Sequence, residues 1–190
     1  MTGNMWISIV PWVTFAFLLL YLHKYSWDRL ENNKMLHLGI LAVGVISFLL
    51  IPFIFLANIN LMLFPEHWGE IQGFYDALTL PNVFPRYLHF ITACLAITGF
   101  FLTWWFGRKS YNMKKTYSVL TKKTIRKQML TLALVATLAQ FMFGPLLFLT
   151  LPNKGVTWGL FWVILGGITV AVIVIFQLWK MIKNEESIGA

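Results

Sequence analysis

Charge is scarce in this chain. Charged residues make up 12% of its 190 residues, about half of the roughly 25% that is typical of soluble domains. Hydrophobic residues make up 58%, and the mean hydropathy is +0.71. This composition indicates a lipid bilayer as the environment. The seventeen Phe and nine Trp residues fit a helical membrane protein with aromatic belts at the bilayer surfaces.

Cysteine is almost absent as well. Cys94 is the sole cysteine, which excludes a disulfide within the chain. The sequence has neither a CxxCH motif for covalent haem attachment nor the cysteine spacing of an iron–sulfur cluster. Cys94 lies in an apolar segment, and we interpret it as a packing residue. The N-terminal stretch MTGNMWISIVPW lacks a basic region and a small-residue cleavage site, so we expect the first apolar stretch to be a retained helix.

Long apolar runs dominate the sequence instead. A transmembrane helix needs ~20 mostly apolar residues, and five stretches meet that requirement. We find no internal repeat, so we expect residues 1–190 to form one domain, an all-α bundle of five transmembrane helices. The predicted helices cover about residues 5–23, 37–63, 85–106, 128–151 and 157–181.

Basic residues are distributed unevenly among the predicted loops. With five spans, segments 24–36 and 107–127 and the tail from residue 180 lie on one side of the membrane. They hold all but two of the fifteen basic residues, and the exceptions are Arg86 and Lys154. Because Lys and Arg are enriched in cytoplasmic loops, we predict an N-terminus outside and a C-terminus in the cytoplasm. The same distribution explains the net charge of +8, and we expect no nucleic-acid binding.

One histidine stands out within the predicted spans. His89 lies about one turn into the third span, in the stretch NVFPRYLHFITACLAITGFF. A polar ring inside lipid is costly, so such a residue is a functional-site hypothesis by default. Ala93 and Ala96 follow on its helix face, where small residues leave room for a flat macrocycle or a neighbouring helix. No Asp or Glu lies in any predicted span, and the sequence shows no inverted repeat. Both observations argue against a transporter.

The four histidines fall into two predicted layers. His23 ends the first helix and His37 begins the second, both at the cytoplasmic face, whereas His67 and His89 lie towards the outer face. Two layers are typical of a b-type cytochrome, since imidazole is a common ligand of haem iron. We interpret His89 as a ligand and the other three as interfacial histidines. His23 and His37 are retained as the hypothetical ligands of a second haem.

Three successive stretches resemble subunit I of cytochrome bd quinol oxidase. They are WDRLENNKMLHLGILAVG, LANINLMLFP and NVFPRYLHFITACLAITGFF, and the similarity covers about residues 15–150. In that family a W-x-R-L turn joins two helices. The second helix ends in A-N-x-x-M, matched here by Ala57, Asn58 and Met62 with one extra residue. The next helix opens with a histidine that ligates the low-spin b haem near the outer face, and the resemblance implies this role for His89.

The chain also departs from that family. We expect its 190 residues to be too few to hold the N-terminal helix pair that carries the ligand of the oxygen-reducing haem in that family, and no Asp or Glu lies in a predicted span. The connection LPNKGVT is far shorter than the loop that the family uses for quinol. Ile164 stands where the family has a methionine as second ligand of the low-spin haem. We therefore expect a haem-binding core without oxygen reduction by this chain itself.

The second axial ligand is left open by the sequence. Met142 in the fourth helix is the first candidate, His67 in the outer loop the second and Met62 the third, and ligation by His89 alone is a further alternative. Met142 is equally explained as a core residue that fills a gap. Arg86, one turn before His89, is a candidate partner for a haem propionate or an anchor at the lipid headgroups.

These features predict a membrane-bound b-type cytochrome subunit in the bacterial cytoplasmic (inner) membrane, with one or two haem b groups. It would transfer electrons between the quinone pool and a redox partner on the outer side, a c-type cytochrome or another redox subunit. It would act within a respiratory complex or as a homodimer, as the electron-transfer subunit of a quinol-linked oxidoreductase. The alternative is a non-redox membrane scaffold or assembly subunit of a respiratory complex.

Overall fold

The computed structural model describes residues 2–108, 121–152 and 156–187. Within these ranges the chain is helical and has no strand. A 3₁₀ turn, Pro65–His67, follows the second helix. The helices are α1 (Thr2–Tyr25), α2 (Lys34–Leu63), the short α3 (Phe74–Leu78), α4 (Val83–Gly107), α5 (Lys122–Leu149) and α6 (Trp158–Ser187).

All but α3 of these helices are long and apolar enough to cross a membrane. The prediction of five membrane-spanning helices in an all-helical protein is therefore confirmed. Large apolar side chains are exposed along every one of these helices, as expected for surfaces in contact with lipid. The chain is thus a multi-pass membrane protein by the length and composition of its helices.

Four of the spanning helices, α1, α2, α4 and α5, begin before their predicted apolar stretches, and in two of them a side chain caps the first turn. The side chain of Asn33 accepts a hydrogen bond from the backbone N–H of Leu36 at 3.3 Å, so α2 begins at Lys34 and not at residue 37. The hydroxyl of Thr121 accepts one from the backbone N–H of Thr124 at 3.1 Å and caps α5. Such caps satisfy the unpaired N–H groups of a first turn, and the basic residues that follow them, Lys34, Lys122 and Lys123, lie outside the predicted apolar stretches.

The chain divides into two compact units, Met1–Tyr87 and Leu88–Ala190. Whether they form one domain, as the sequence predicts, stays a prediction. In the first unit α1 and α2 form an antiparallel pair. Ala16 is fully buried, and a Cβ atom on Gly44 would lie 3.3 Å from Cβ of Leu19. Small residues therefore let the two helices approach closely.

The first unit also has a compact apolar cluster at the C-terminal end of α2. The indole Nε1 of Trp68 donates a hydrogen bond to the backbone carbonyl of Leu61 at 2.6 Å. This bond ties the segment after the 3₁₀ turn back onto α2. The buried residues of the cluster come from α2, α3 and the segments around them: Ala57, Leu61, Phe64, Ala77, Leu80 and Val83.

In the second unit α5 contacts both α4 and α6. Leu130 and Ala133 of α5 form a buried cluster with Leu178 of α6. On the α4 side, a Cβ atom on Gly99 would lie 2.7 Å from the backbone oxygen of Met129. Only a glycine allows the two backbones to come this close.

Candidate functional site

His89 lies in α4, within the second unit, and its side chain is half-buried. Its ring nitrogen Nδ1 is buried and has no hydrogen-bond partner in the part of the chain that the structure describes. A buried polar atom that lacks a partner costs about 1–3 kcal/mol. The ring therefore has an unused coordinating or hydrogen-bonding position inside a membrane-spanning helix.

The backbone of His89 is held in place by two polar side chains. Gln140 of α5 donates a hydrogen bond from Nε2 to the carbonyl oxygen of His89 at 3.0 Å. Gln140 also donates to the hydroxyl of Thr92, which itself lies 3.0 Å from the same carbonyl oxygen. These contacts fix the peptide from which the His89 side chain extends.

Gly144 of α5 faces the ring of His89. A Cβ atom on Gly144 would lie 3.7 Å from Cε1 and 3.9 Å from Nδ1 of that ring. Gln140 precedes Gly144 by four residues, so both lie on one face of α5. Pro145 follows and has no N–H, which leaves the carbonyl of Phe141 without its helical donor. The helix that faces His89 thus has a glycine next to the ring and a backbone carbonyl that lacks its helical hydrogen-bond donor.

Met142 lies on a different face of α5. It is two residues from both Gln140 and Gly144, which corresponds to about 200° around a helix. Its side chain is 63% exposed. The structure therefore brings Gln140 and Gly144 to His89 and does not bring Met142 there.

Three other predicted site residues lie in the first unit. His67 follows α2 in the 3₁₀ turn, and its Nδ1 donates to Oε2 of Glu70 at 3.0 Å. Met62 is exposed near the end of α2. Arg86 is half-buried, and its Nε donates to Oδ1 of Asn82 at 2.8 Å.

His23 and His37 are also in the first unit, and they contact each other directly. Their rings stack with centroids 3.9 Å apart, and Nδ1 of His23 donates to the carbonyl of His37 at 3.2 Å. Trp27 packs edge-on against His37, with ring centroids 5.1 Å apart. A haem held between the two imidazoles would require these rings to separate. The second haem therefore stays a prediction.

Two asparagines in α2 have side-chain polar atoms that are buried without a partner among the described residues, and of these only Asn58 is part of the family resemblance. Asn60 is 0% exposed, and both polar atoms of its side chain lack partners among the described residues. Asn58 donates from Nδ2 to the carbonyl of Ile54 at 3.0 Å, while its Oδ1 has no partner in the same ranges. The sequence pattern that indicates these residues is a pair of asparagines in an otherwise apolar stretch, LANINLML.

The side chains near His89 limit which kind of metal group this site could hold. Among the described residues, no group of three or more His, Cys, Asp or Glu side chains could hold a metal ion. Haem needs only one or two axial ligands from a chain. Among the described residues the buried Nδ1 of His89 has no hydrogen-bond partner, and this is compatible with the imidazole acting as such a ligand. In comparisons with protein-family models, curated proteins and solved structures, no match to this chain was found.

Proposed function

We propose that this chain is a membrane-bound b-type cytochrome subunit in which His89 is an axial ligand of one haem b. The observation that carries the proposal is the buried Nδ1 of His89, which has no hydrogen-bond partner in the described residues. Ionisable side chains inside membrane spans are rare and mark functional sites. The sequence resemblance to cytochrome bd quinol oxidase subunit I supports the same residue.

Bound haem would supply an iron that accepts and releases one electron, at a potential set by its ligands and surroundings. His89 supplies an imidazole to this iron. Gln140 and Thr92 hold the carbonyl of His89 and so restrict where the ring can lie. Gly144 places no side chain against the ring, which leaves that flank open.

The proposal includes an orientation and a location. The bias of Lys and Arg towards one set of loops supports an N-terminus outside and a cytoplasmic C-terminus. With this orientation in the bacterial cytoplasmic membrane, the haem of His89 lies towards the outer face. Electrons then pass between the quinone pool and an outer redox subunit, such as a c-type cytochrome, within a complex or a homodimer.

The test is a reduced-minus-oxidised visible spectrum of the purified full chain, expressed with haem supplied. We expect an α-band of b-type haem in the wild type and its loss in His89→Leu. Phe90→Leu, at the next position of α4, is the matched control and should keep the band. His89→Gly with added imidazole should restore it, because free imidazole replaces the missing ligand.

A folded wild-type protein without the band, or a His89→Leu variant that keeps it, would contradict the proposal. If the wild type shows the band and His89→Leu loses it, three further variants test the candidates for the second axial ligand: His67→Leu, Met62→Leu and Met142→Leu. Loss of that ligand should change the spectrum from six-coordinate to five-coordinate. The position of Met142 on another face of α5 makes an unchanged spectrum the expected result for that variant.

A specific observation favours a second candidate, the non-redox scaffold or assembly subunit. The bonds that Gln140 makes to His89 and Thr92 connect two helices, and such bonds stabilise helix packing without any cofactor. A scaffold would show no haem band and would lose stability in Gln140 variants. The same spectrum therefore separates the two functions.

A further inference from the structure

We propose that the surface formed where α4 ends and α5 begins binds the headgroup of an anionic phospholipid. We call it the basic–aromatic surface and define it by Trp104, Trp105, Arg108, Lys122 and Arg126. All five residues belong to the second unit. The proposal is independent of the haem and of the orientation of the chain.

The guanidinium of Arg108 lies over two indole rings. Its guanidinium carbon lies 3.6 Å from the ring centroid of Trp105 and 4.8 Å from that of Trp104, and Nε donates to the carbonyl of Trp105 at 3.4 Å. Within the described ranges, its two terminal amino groups have no partner. Tryptophan is enriched at the membrane–water boundary, so these contacts place the guanidinium at the depth of the headgroups.

The first turns of α5 bring further cations to the same place. Lys122 donates from Nζ to the carbonyl of Arg108 at 2.8 Å. A Cβ atom on Gly107 would lie 3.5 Å from Nε of Arg126, so the side chain of Arg126 packs against the last residue of α4. The N-terminus of α5 adds the positive end of its helix dipole.

Nearby carboxylates in the sequence do not balance this charge. No Asp or Glu occurs between Asp76 and Glu185. Like charges gathered at one place repel, and an anion between them relieves that repulsion. Basic clusters at the ends of membrane helices recognise anionic headgroups, and the planar fork of arginine matches two phosphate oxygens.

The apolar part of the surface favours a lipid over a soluble phosphate. Trp104 is 60% exposed, and Phe101, one turn earlier, is exposed beside it. In a bilayer these rings face acyl chains directly below the guanidinium of Arg108. A phospholipid satisfies both parts at once, because its phosphate reaches the cations while its chains cover the rings.

The test is native mass spectrometry of the full chain, released from micelles that contain phosphatidylglycerol and phosphatidylcholine with identical acyl chains. We expect the wild type to retain phosphatidylglycerol in preference. Removal of a charge should weaken retention about fivefold, so Arg108→Gln with Lys122→Gln should weaken it about 25-fold. Arg29→Gln removes an exposed charge elsewhere and should have no effect. Arg108→Lys keeps the charge and should retain most of the binding.

Equal retention of the two lipids by the wild type would overturn the proposal. It would also be overturned if the double variant retained phosphatidylglycerol like the wild type, or if Arg29→Gln lost as much. Should the double variant fail to fold, the comparison of Arg108→Lys with Arg108→Gln decides, since the proposal requires a fivefold difference between them. Displacement of the lipid by millimolar inorganic phosphate would show a soluble-anion site and overturn the lipid assignment.

Discussion

Gly99 is the position where one added methyl group should separate α4 from α5. A Cβ atom there would lie 2.7 Å from the backbone oxygen of Met129, 2.8 Å from the backbone nitrogen of Ala133 and 3.0 Å from its Cβ. Ala133 is fully buried. Backbone atoms cannot rotate away as a side chain can. Gly99→Ala must therefore move one helix relative to the other.

Two opposing terms decide the size of the effect. Replacing glycine by alanine inside a helix contributes about 1 kcal/mol of helix propensity, whereas overpacking a well-packed contact costs about 1–3 kcal/mol. Gly166→Ala in α6 isolates the first term, because no heavy atom lies within 4 Å of a Cβ built there. The difference between the two variants removes the propensity term, and we expect Gly99→Ala to be less stable by about 1–3 kcal/mol.

The measurement is reversible unfolding of the purified chain in mixed detergent micelles, followed by helicity. The free energy of unfolding of Gly99→Ala should lie below that of Gly166→Ala, and Gly99→Val should lie lower still. Equal stabilities of the two alanine variants would refute the reasoning, since rotation of a side chain cannot relieve a clash with backbone atoms.

Three further predictions concern polar side chains in the two units. Asn60→Leu keeps the number of side-chain heavy atoms and removes two buried polar atoms that have no partner among the described residues, so it should raise the free energy of unfolding by about 1–3 kcal/mol. Asn82→Leu removes the acceptor of the Arg86 Nε–H and should lower it by a similar amount; the opposite order in the same unfolding assay would contradict both. Gln140→Leu removes the donor to the His89 carbonyl. It should cost about 0.6 kcal/mol in stability and shift the α-band of the proposed haem, and an unchanged stability would show that the bond contributes nothing.

The spanning helices could be predicted because apolar length is a local property of the sequence. Each predicted stretch lies within or close to a helix of the structure. The largest differences are at the end of α6, which is Ser187 and not residue 181, and at the start of α5, which is Lys122 and not residue 128 because Thr121 caps a basic first turn. The short helix α3 and the 3₁₀ turn were not predicted, since elements of five and three residues are too short to show the hydrophobic periodicity of a helix.

The neighbours of His89 could not be predicted in the same way. Gln140 is 51 residues away along the chain, and its contact depends on how α5 is rotated about its own axis. In a soluble helix an apolar stripe fixes that rotation, but a helix that is apolar on all sides gives no such direction. The sequence makes Met142 the first candidate for the second ligand, whereas in the structure Gln140 and Gly144 are the residues of α5 that contact His89.

The two histidines with buried, unpartnered ring nitrogens in the described residues differ in what covers them. His37 is 8% exposed, and His23 stacks on its ring while Trp27 packs against its edge. The ring of His89 meets a glycine on the facing helix instead. A flat macrocycle needs one open side of its ligand, and displacing two aromatic rings costs their packing. The surroundings of His89 therefore suit a cofactor better than those of His37, and the proposal of a cytochrome is better supported with one haem than with two.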